Sequence, residues 1–191
     1  TLASRSPRRT KLLSRLRIPH DTLPADIDEE AVGGTPPVMA QRLAERKALA
    51  VASLATTRLV LGADTVVALG ERALGKPGSA TEAREMITAL SGRTHDVHTG
   101  IALIDRHGGS ILSEVSTTVV EFAPMREAEI DRYIASDEWQ GVAGAYAIQG
   151  LAGCFIPHIE GSYTGVMGLP TATIYSMLCR YHFTWTGSEP M

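Results

Sequence analysis

Arg58-Leu59-Val60-Leu61-Gly62-Ala63-Asp64-Thr65-Val66-Val67-Ala68-Leu69 is the most apolar stretch of the chain. Its aliphatic and β-branched residues predict a buried strand, interrupted at Gly62-Ala63-Asp64-Thr65. A carboxylate in the middle of such a run is expensive unless it has a function. Asp64 is therefore the first candidate functional residue. Downstream, Leu74-Gly75-Lys76-Pro77 brings a lysine out on a constrained loop, without the GxxxxGK[ST] spacing of a Walker A loop.

Upstream, the chain starts Thr1-Leu2-Ala3-Ser4-Arg5-Ser6-Pro7-Arg8-Arg9, read as a strand end, a tight turn and a helix over 6–16. Ser6 is the expected N-cap, its hydroxyl accepting from a free N–H, and Pro7 suits the first helical position. Arg8 and Arg9 do not suit it, because the helix dipole repels them by roughly 0.3–1 kcal/mol each. Free N–H groups, hydroxyls and two guanidiniums become favourable around an anion, and arginine forks match phosphate oxygens; a solvated basic helix start is the alternative. In Leu23-Pro-Ala-Asp-Ile-Asp-Glu-Glu, an extended segment puts Leu23, Ala25, Ile27 and Glu29 on one face and Asp26, Asp28 and Glu30 on the other. Glu29 thus falls on the apolar side, where it needs a metal, a cation or a rim position; a solvated acidic loop is the alternative.

Gly33-Gly-Thr-Pro-Pro reads as a linker, followed by a helix over 37–53 with an apolar stripe of Met39, Leu43, Ala44, Ala50 and Val51. Lys47 lies on that inward stripe, either snorkelling off it or aimed into a pocket. Further on, the pattern predicts a helix over 81–90 and two strands, 95–105 and 111–122, joined as a hairpin at His107-Gly-Gly. His95 and His98 sit three apart in a strand, a poor metal pair with a structural or rim role. A helix over 125–135, a Gly- and Ala-rich loop over 139–153, a short strand over 155–159 and a last helix opening at Gly168-Leu-Pro-Thr complete the chain. Strands and helices mix without strict βαβ alternation, which favours an α/β or α+β fold around a mixed sheet with flanking helices.

The 191 residues suit one domain with a sizeable core, and a net charge of −3 argues against a protein that coats nucleic acid. Cys154 and Cys179 are far apart and outside any CxxC spacing, so a reducing compartment, the cytoplasm, is the simpler reading. No apolar run approaches the roughly 20 residues of a membrane span, and no signal-peptide pattern is present. Arg8, Arg9, Lys47 and Lys76 offer positive charge for a polyphosphate, while Asp64 and Glu29 offer carboxylates for Mg²⁺ or for activating water.

These residues resemble the Maf family. The resemblance rests on Leu-Ala-Ser-Arg-Ser-Pro-Arg-Arg at 2–9, Lys47-Ala48, Gly-Ala-Asp-Thr at 62–65, Gly-Lys-Pro at 75–77, Ser-Gly-Arg-Thr-His at 91–95, Ala-Gly-Ala-Tyr-Ala-Ile-Gln-Gly at 143–150 and Gly-Leu-Pro at 168–170. It covers nearly the whole chain in the family's order. It implies a Maf/inosine-triphosphate-pyrophosphatase-like fold over 1–191, a mixed curved sheet with two lobes around a deep cleft, often dimeric. The implied activity is metal-dependent hydrolysis of a nucleoside triphosphate to the monophosphate and pyrophosphate, with Mg²⁺ or Mn²⁺. Ser4, Arg8 and Arg9 would form the phosphate-binding loop, with Lys47 and Lys76 as further contacts. Asp64 matches the proposed base, Glu29 an acid on the metal, and Arg9, Thr65 and Gln149 the positions that separate family branches. That trio matches the branch preferring dTTP and UTP rather than 7-methyl-GTP. Val142 departs from the family, which commonly has lysine there. A regulatory nucleotide-binding protein acting on septum formation, or a nucleotide kinase or transferase, are rival readings; the missing Walker A loop weakens the kinase.

Overall fold

In the computed structural model, which describes residues 1–29 and 32–183, the apolar run forms one strand, β1, over Leu59–Leu69. Gly62 and Asp64 do not interrupt it, contrary to the sequence expectation, because β3 pairs it along its whole length from Leu59↔Asp105 to Ala68↔Asp96. Five strands form the sheet in the order β2-β1-β3-β4-β5, all antiparallel. They are β1, β2 (Arg72–Leu74), β3 (Thr94–Asp105), β4 (Ser110–Glu121) and β5 (His158–Glu160). Parallel pairing among the described residues is confined to Leu2, which bridges Thr22 and Leu61.

The β3–β4 hairpin forms where the sequence places it. Asp105 closes it, accepting from the His107 N–H at 3.0 Å and from the Arg58 fork at 2.9 and 2.7 Å. β5 starts later than expected, since Phe155 belongs to a 3₁₀ turn over Leu151–Phe155. The helices are α1 (Pro7–Arg15), α2 (Pro36–Ala52), α3 (Ala80–Leu90), α4 (Glu127–Ala135), a short α5 (Tyr163–Val166) and α6 (Thr171–Cys179). Sequence reading missed α5, a single turn capped by Ser162, whose Oγ accepts from the Gly165 N–H. Glu30, expected on the acidic face, lies outside the described residues.

Two cores flank the sheet. The larger joins Leu12 and Leu13 of α1, Ile87 and Leu90 of α3, Ile130 and Tyr133 of α4 and Ile174 and Met177 of α6 to β1, β3 and β4. The smaller packs Ala44, Ala48 and Val51 of α2 against Val60, Ala102 and Ile104, with Leu23 and Ala25 over its edge. The buried stripe of α2 is Ala40, Leu43, Ala44, Lys47, Ala48 and Val51; Ala50, expected inward, is exposed. The reason is backbone proximity. A Cβ built on Gly62 would stand 2.1 Å from the Ala44 carbonyl oxygen, and one on Gly100 2.1 Å from that of Ala40. Alanines on the helix facing glycines on the sheet let α2 lie almost directly on β1 and β3.

This approach decides the site. Gly62 faces α2, and by the pleat Asp64, two residues on, leans to the same side. Thr65 and Val67 lean the other way.

Candidate functional site

β1 is paired on its outer edge at both ends only. Near the start the Ala3 N–H donates to the Leu61 carbonyl at 2.8 Å, and β2 pairs from Val67 onward. Between them, among the described residues, no strand covers 62–66, and side chains from both faces of β1 open into one cleft at this gap. A cavity of about 110 Å³ lies there, lined by Asp64, Thr65, Val67, Lys47 and Lys76, by Ser6, Arg8 and Arg9 of the first turn, and by Gly168.

Each wall has a local cause. The short segment before α1 crosses the gap, and Ser4 Oγ accepts the Ser6 N–H at 3.1 Å. The expected Ser6 cap does not form; its hydroxyl makes no cap bond, so the first turn of α1 faces the cleft without a side-chain acceptor. The loop over 141–146 closes the opposite side. Gly144 adopts φ +67°, donates its N–H to the Gly75 carbonyl at 3.0 Å and sits so near Val67 that a Cβ would stand 2.8 Å from its Cγ1. That bond holds the Lys76 loop against the cleft.

Lys47, delivered by α2, places Nζ 2.5 Å from Asp64 Oδ1 and 2.7 Å from Glu29 Oε1. The side chains of Lys47 and Asp64 are each 10% exposed, and that of Glu29 45%. Glu29 is thus at a rim, paired with a cation, as one sequence alternative required. Burial pushes its carboxyl up, but the hydrogen bond and charge of Lys47, helped by Lys76 and Arg9, outweigh that and hold it below its ordinary value. Lys47 is the pocket lysine rather than a snorkelling one.

Arg9 answers the dipole problem by turning inward. Its Nε donates to the Gly168 carbonyl at 2.8 Å, Nη1 to Ser4 Oγ at 3.2 Å and Nη2 to Thr65 Oγ1 at 3.2 Å. Burial draws its guanidinium below the usual value, with the Asp64 and Glu29 charges acting against that and the Arg8 charge with it; it stays a cation. Arg8 remains at the cleft, reaching the Gly141 carbonyl at 3.4 Å, and burial lowers it too.

Of the sequence candidates, Arg8, Arg9, Lys47, Asp64, Thr65 and Lys76 meet in this cleft, with Ser4 behind Arg9 and Glu29 on Lys47. Gln149 is exposed and stands outside the lining, three residues beyond Tyr146 of the same loop. Sequence reasoning missed Gly141, Ala143, Val166, Met167 and Gly168 as lining residues. The Gly- and Ala-rich loop over 139–153 and the motifs at 143–150 and 168–170 were signals for Gly141, Ala143 and Gly168; Val166 and Met167 carried none. Val142, the position at which the resemblance expects a lysine, lines the cleft.

Among the described residues no three His, Cys, Asp or Glu side chains converge on one point. The two carboxylates do converge, since one Nζ touches an oxygen of each. A pair of acids fits Mg²⁺, which takes one or two carboxylates and completes its shell with water and substrate phosphates.

His95 and His98 are both buried and hydrogen-bonded within the fold. His98 Nδ1 pairs with Thr117 Oγ1 at 2.9 Å, and His95 Nε2 with the hydroxyl of Tyr146 at 2.7 Å. The His95 ring lies edge-on to Tyr146, near Phe122, and its Nδ1 is buried without a partner. Burial lowers its pKa to about 4 from 6.5. Between those values the unfolded chain binds the proton and the folded one does not, so stability rises with pH. The contribution is complete above pH 6.5 and falls by about 3 kcal/mol as the pH drops toward 4. Urea unfolding at pH 5 and 7 should show this slope, and His95→Gln should flatten it; equal slopes in both proteins would exclude His95 as its source.

A helix start without a side-chain cap, ringed by cations and backed by paired acids, has the chemistry suited to phosphate groups. The family follows from comparison with known proteins: the profile of the Maf-like proteins matches residues 1–181, and the chain belongs to that family. It is 46% identical over 178 residues to the dTTP/UTP pyrophosphatase of Syntrophus aciditrophicus, covering 93% of this chain and 87% of that one. It is 47% identical over 179 residues to the dTTP/UTP pyrophosphatase of Cereibacter sphaeroides, covering 93% and 92%. The protein of that name in Pelotomaculum thermopropionicum is 45% identical over 183 residues, covering 95% and 96%. No helix of the described residues is long and apolar enough to cross a membrane.

Proposed function

We propose that the protein hydrolyses dTTP and UTP between the α- and β-phosphates, giving the nucleoside monophosphate and pyrophosphate. The observation that carries the reading is the Lys47 ammonium held between Asp64 and Glu29 beside the open start of α1. The names of the relatives support the substrate class.

Arg8, Lys76 and the first-turn N–H groups of α1 would bind phosphate oxygens, placing the α-phosphorus near Asp64. Lys47 engages Asp64 Oδ1 and leaves Oδ2 to take the proton of the attacking water. The water oxygen bonds to the α-phosphorus, the bond to the bridging oxygen breaks, and pyrophosphate leaves with the electron pair. Asp64 and Glu29 would hold a divalent cation, which supplies charge stabilisation to the phosphates and acidifies water. Arg9 and Thr65 adjoin in the cleft; Gln149 would contribute to base selection from the exposed part of the loop, its amide able to donate to a carbonyl of uracil or thymine. Both cysteines are exposed and unbridged, which fits a cytoplasmic enzyme acting on free nucleotides.

Incubation with UTP or dTTP and Mg²⁺ or Mn²⁺, with products separated by anion-exchange chromatography, tests the reading. Monophosphate and pyrophosphate in equal amounts are expected. Nucleoside diphosphate with orthophosphate would overturn it.

A further inference from the structure

Behind Thr65 lies a hydroxyl that the reaction does not touch. Thr99 of β3, paired with Thr65 across the strands, is fully buried. Its Oγ1 lies 2.8 Å from the Gly165 carbonyl and 3.0 Å from Thr65 Oγ1. A carbonyl only accepts and a threonine hydroxyl has one proton, so Thr99 donates to Gly165 and can only accept from Thr65. Thr65 therefore spends its own proton on Thr99. The bond from Arg9 Nη2 to Thr65 Oγ1 agrees, because a guanidinium only donates. The chain runs one way, from Arg9 through Thr65 and Thr99 to Gly165. The segment around α5 holds both of its ends, since Gly168 takes Arg9 Nε and Gly165 takes Thr99.

We propose that Thr99 is a positioning residue that makes Thr65 an acceptor-only group in the cleft, so that Thr65 reads a hydrogen-bond donor of the nucleoside rather than a phosphate oxygen. The proposal rests on the nucleoside triphosphate reading above. A phosphate oxygen brings only lone pairs and would meet a lone pair on Thr65. Two donors common to dTTP and UTP remain: the imide N–H of the base and the 3′ hydroxyl of the sugar. Thr99→Val keeps the shape of the side chain, and Gly165 retains a partner, because its carbonyl also accepts the Gly168 N–H at 2.8 Å. The loss in that variant is the direction of the chain, since the Thr65 proton is freed to turn toward the cleft.

The experiment compares kcat/KM for UTP, for 3-methyl-UTP, which lacks the imide N–H, and for 3′-deoxy-UTP, in the wild type, Thr99→Val and Thr99→Ser. The wild type should disfavour one analogue by about 10- to 100-fold, and which one names the donor. Thr99→Ser, which keeps the hydroxyl, should retain that discrimination, and Thr99→Val should reduce it to within about threefold. Thr65→Val supplies a second route and should lose the same discrimination. A folded Thr99→Val that discriminates like the wild type overturns the proposal, as does a wild type that accepts both analogues as well as UTP. A wild type that releases no pyrophosphate from UTP overturns the function reading instead, and the discrimination is then read from equilibrium binding of the same three nucleotides.

Discussion

Asp64→Asn should leave a folded protein whose turnover of UTP has fallen by about 10²–10⁴-fold. The substitution keeps the outline of the side chain, and the amide oxygen can still accept from Lys47 Nζ where Oδ1 does at 2.5 Å. Glu29 Oε1, 2.7 Å from the same Nζ, still balances the lysine charge. The loss is chemical: an amide cannot take a proton from water at neutral pH, and it is a poorer partner for a divalent cation. If Asp64 also holds the metal, the loss lies at or beyond the upper end of that range. Pyrophosphate release, read beside circular dichroism to show the fold intact, checks the result. A folded variant that keeps more than about a tenth of the wild-type rate would remove Asp64 from the chemistry.

Lys47→Met is expected to hurt stability as much as activity. Methionine matches the length of the lysine stem and keeps the packing of α2 beside Ala44 and Ala48. It leaves Asp64, 7% exposed, without its cation. Breaking a buried pair from one side costs about 3–5 kcal/mol, because the remaining charge has lost its water and gained nothing. Glu29 suffers less, since it is half-exposed and solvent can replace Lys47. Adding Asp64→Asn to Lys47→Met should therefore recover part of the lost stability, a non-additivity that urea unfolding of the two single variants and the double variant can measure. A single variant within about 1 kcal/mol of the wild type would show that the pair does not hold α2 to the sheet. Turnover should fall in Lys47→Met as well, since the cleft loses the group that fixes both acids.

The local chemistry of this chain is written in its residues. The alternation in Leu23 to Ile27, the hairpin at His107-Gly108-Gly109 and the stripe of α3 each follow from a period within one segment. The cost of burying Asp64, and the repulsion of Arg8 and Arg9 by their own helix, mark the residues that meet in the cleft before any fold is known. Those are one-body energies, and one segment suffices to read them. Which groups meet is a property of pairs. Lys47 reaches Asp64 across 17 residues, Arg9 reaches Thr65 across 56 and Gly168 across 159. The register that brings them together depends on Gly62 and Gly100 admitting the α2 backbone, contacts that no period in either segment encodes. Only the sheet order leaves the edge of β1 open at 62–66, so that Asp64 and Thr65, on opposite faces, share one cleft. The tertiary structure alone set Gln149 outside that lining and put Thr99 behind Thr65, since a loop's course and a buried hydroxyl's partner are settled by packing between distant segments.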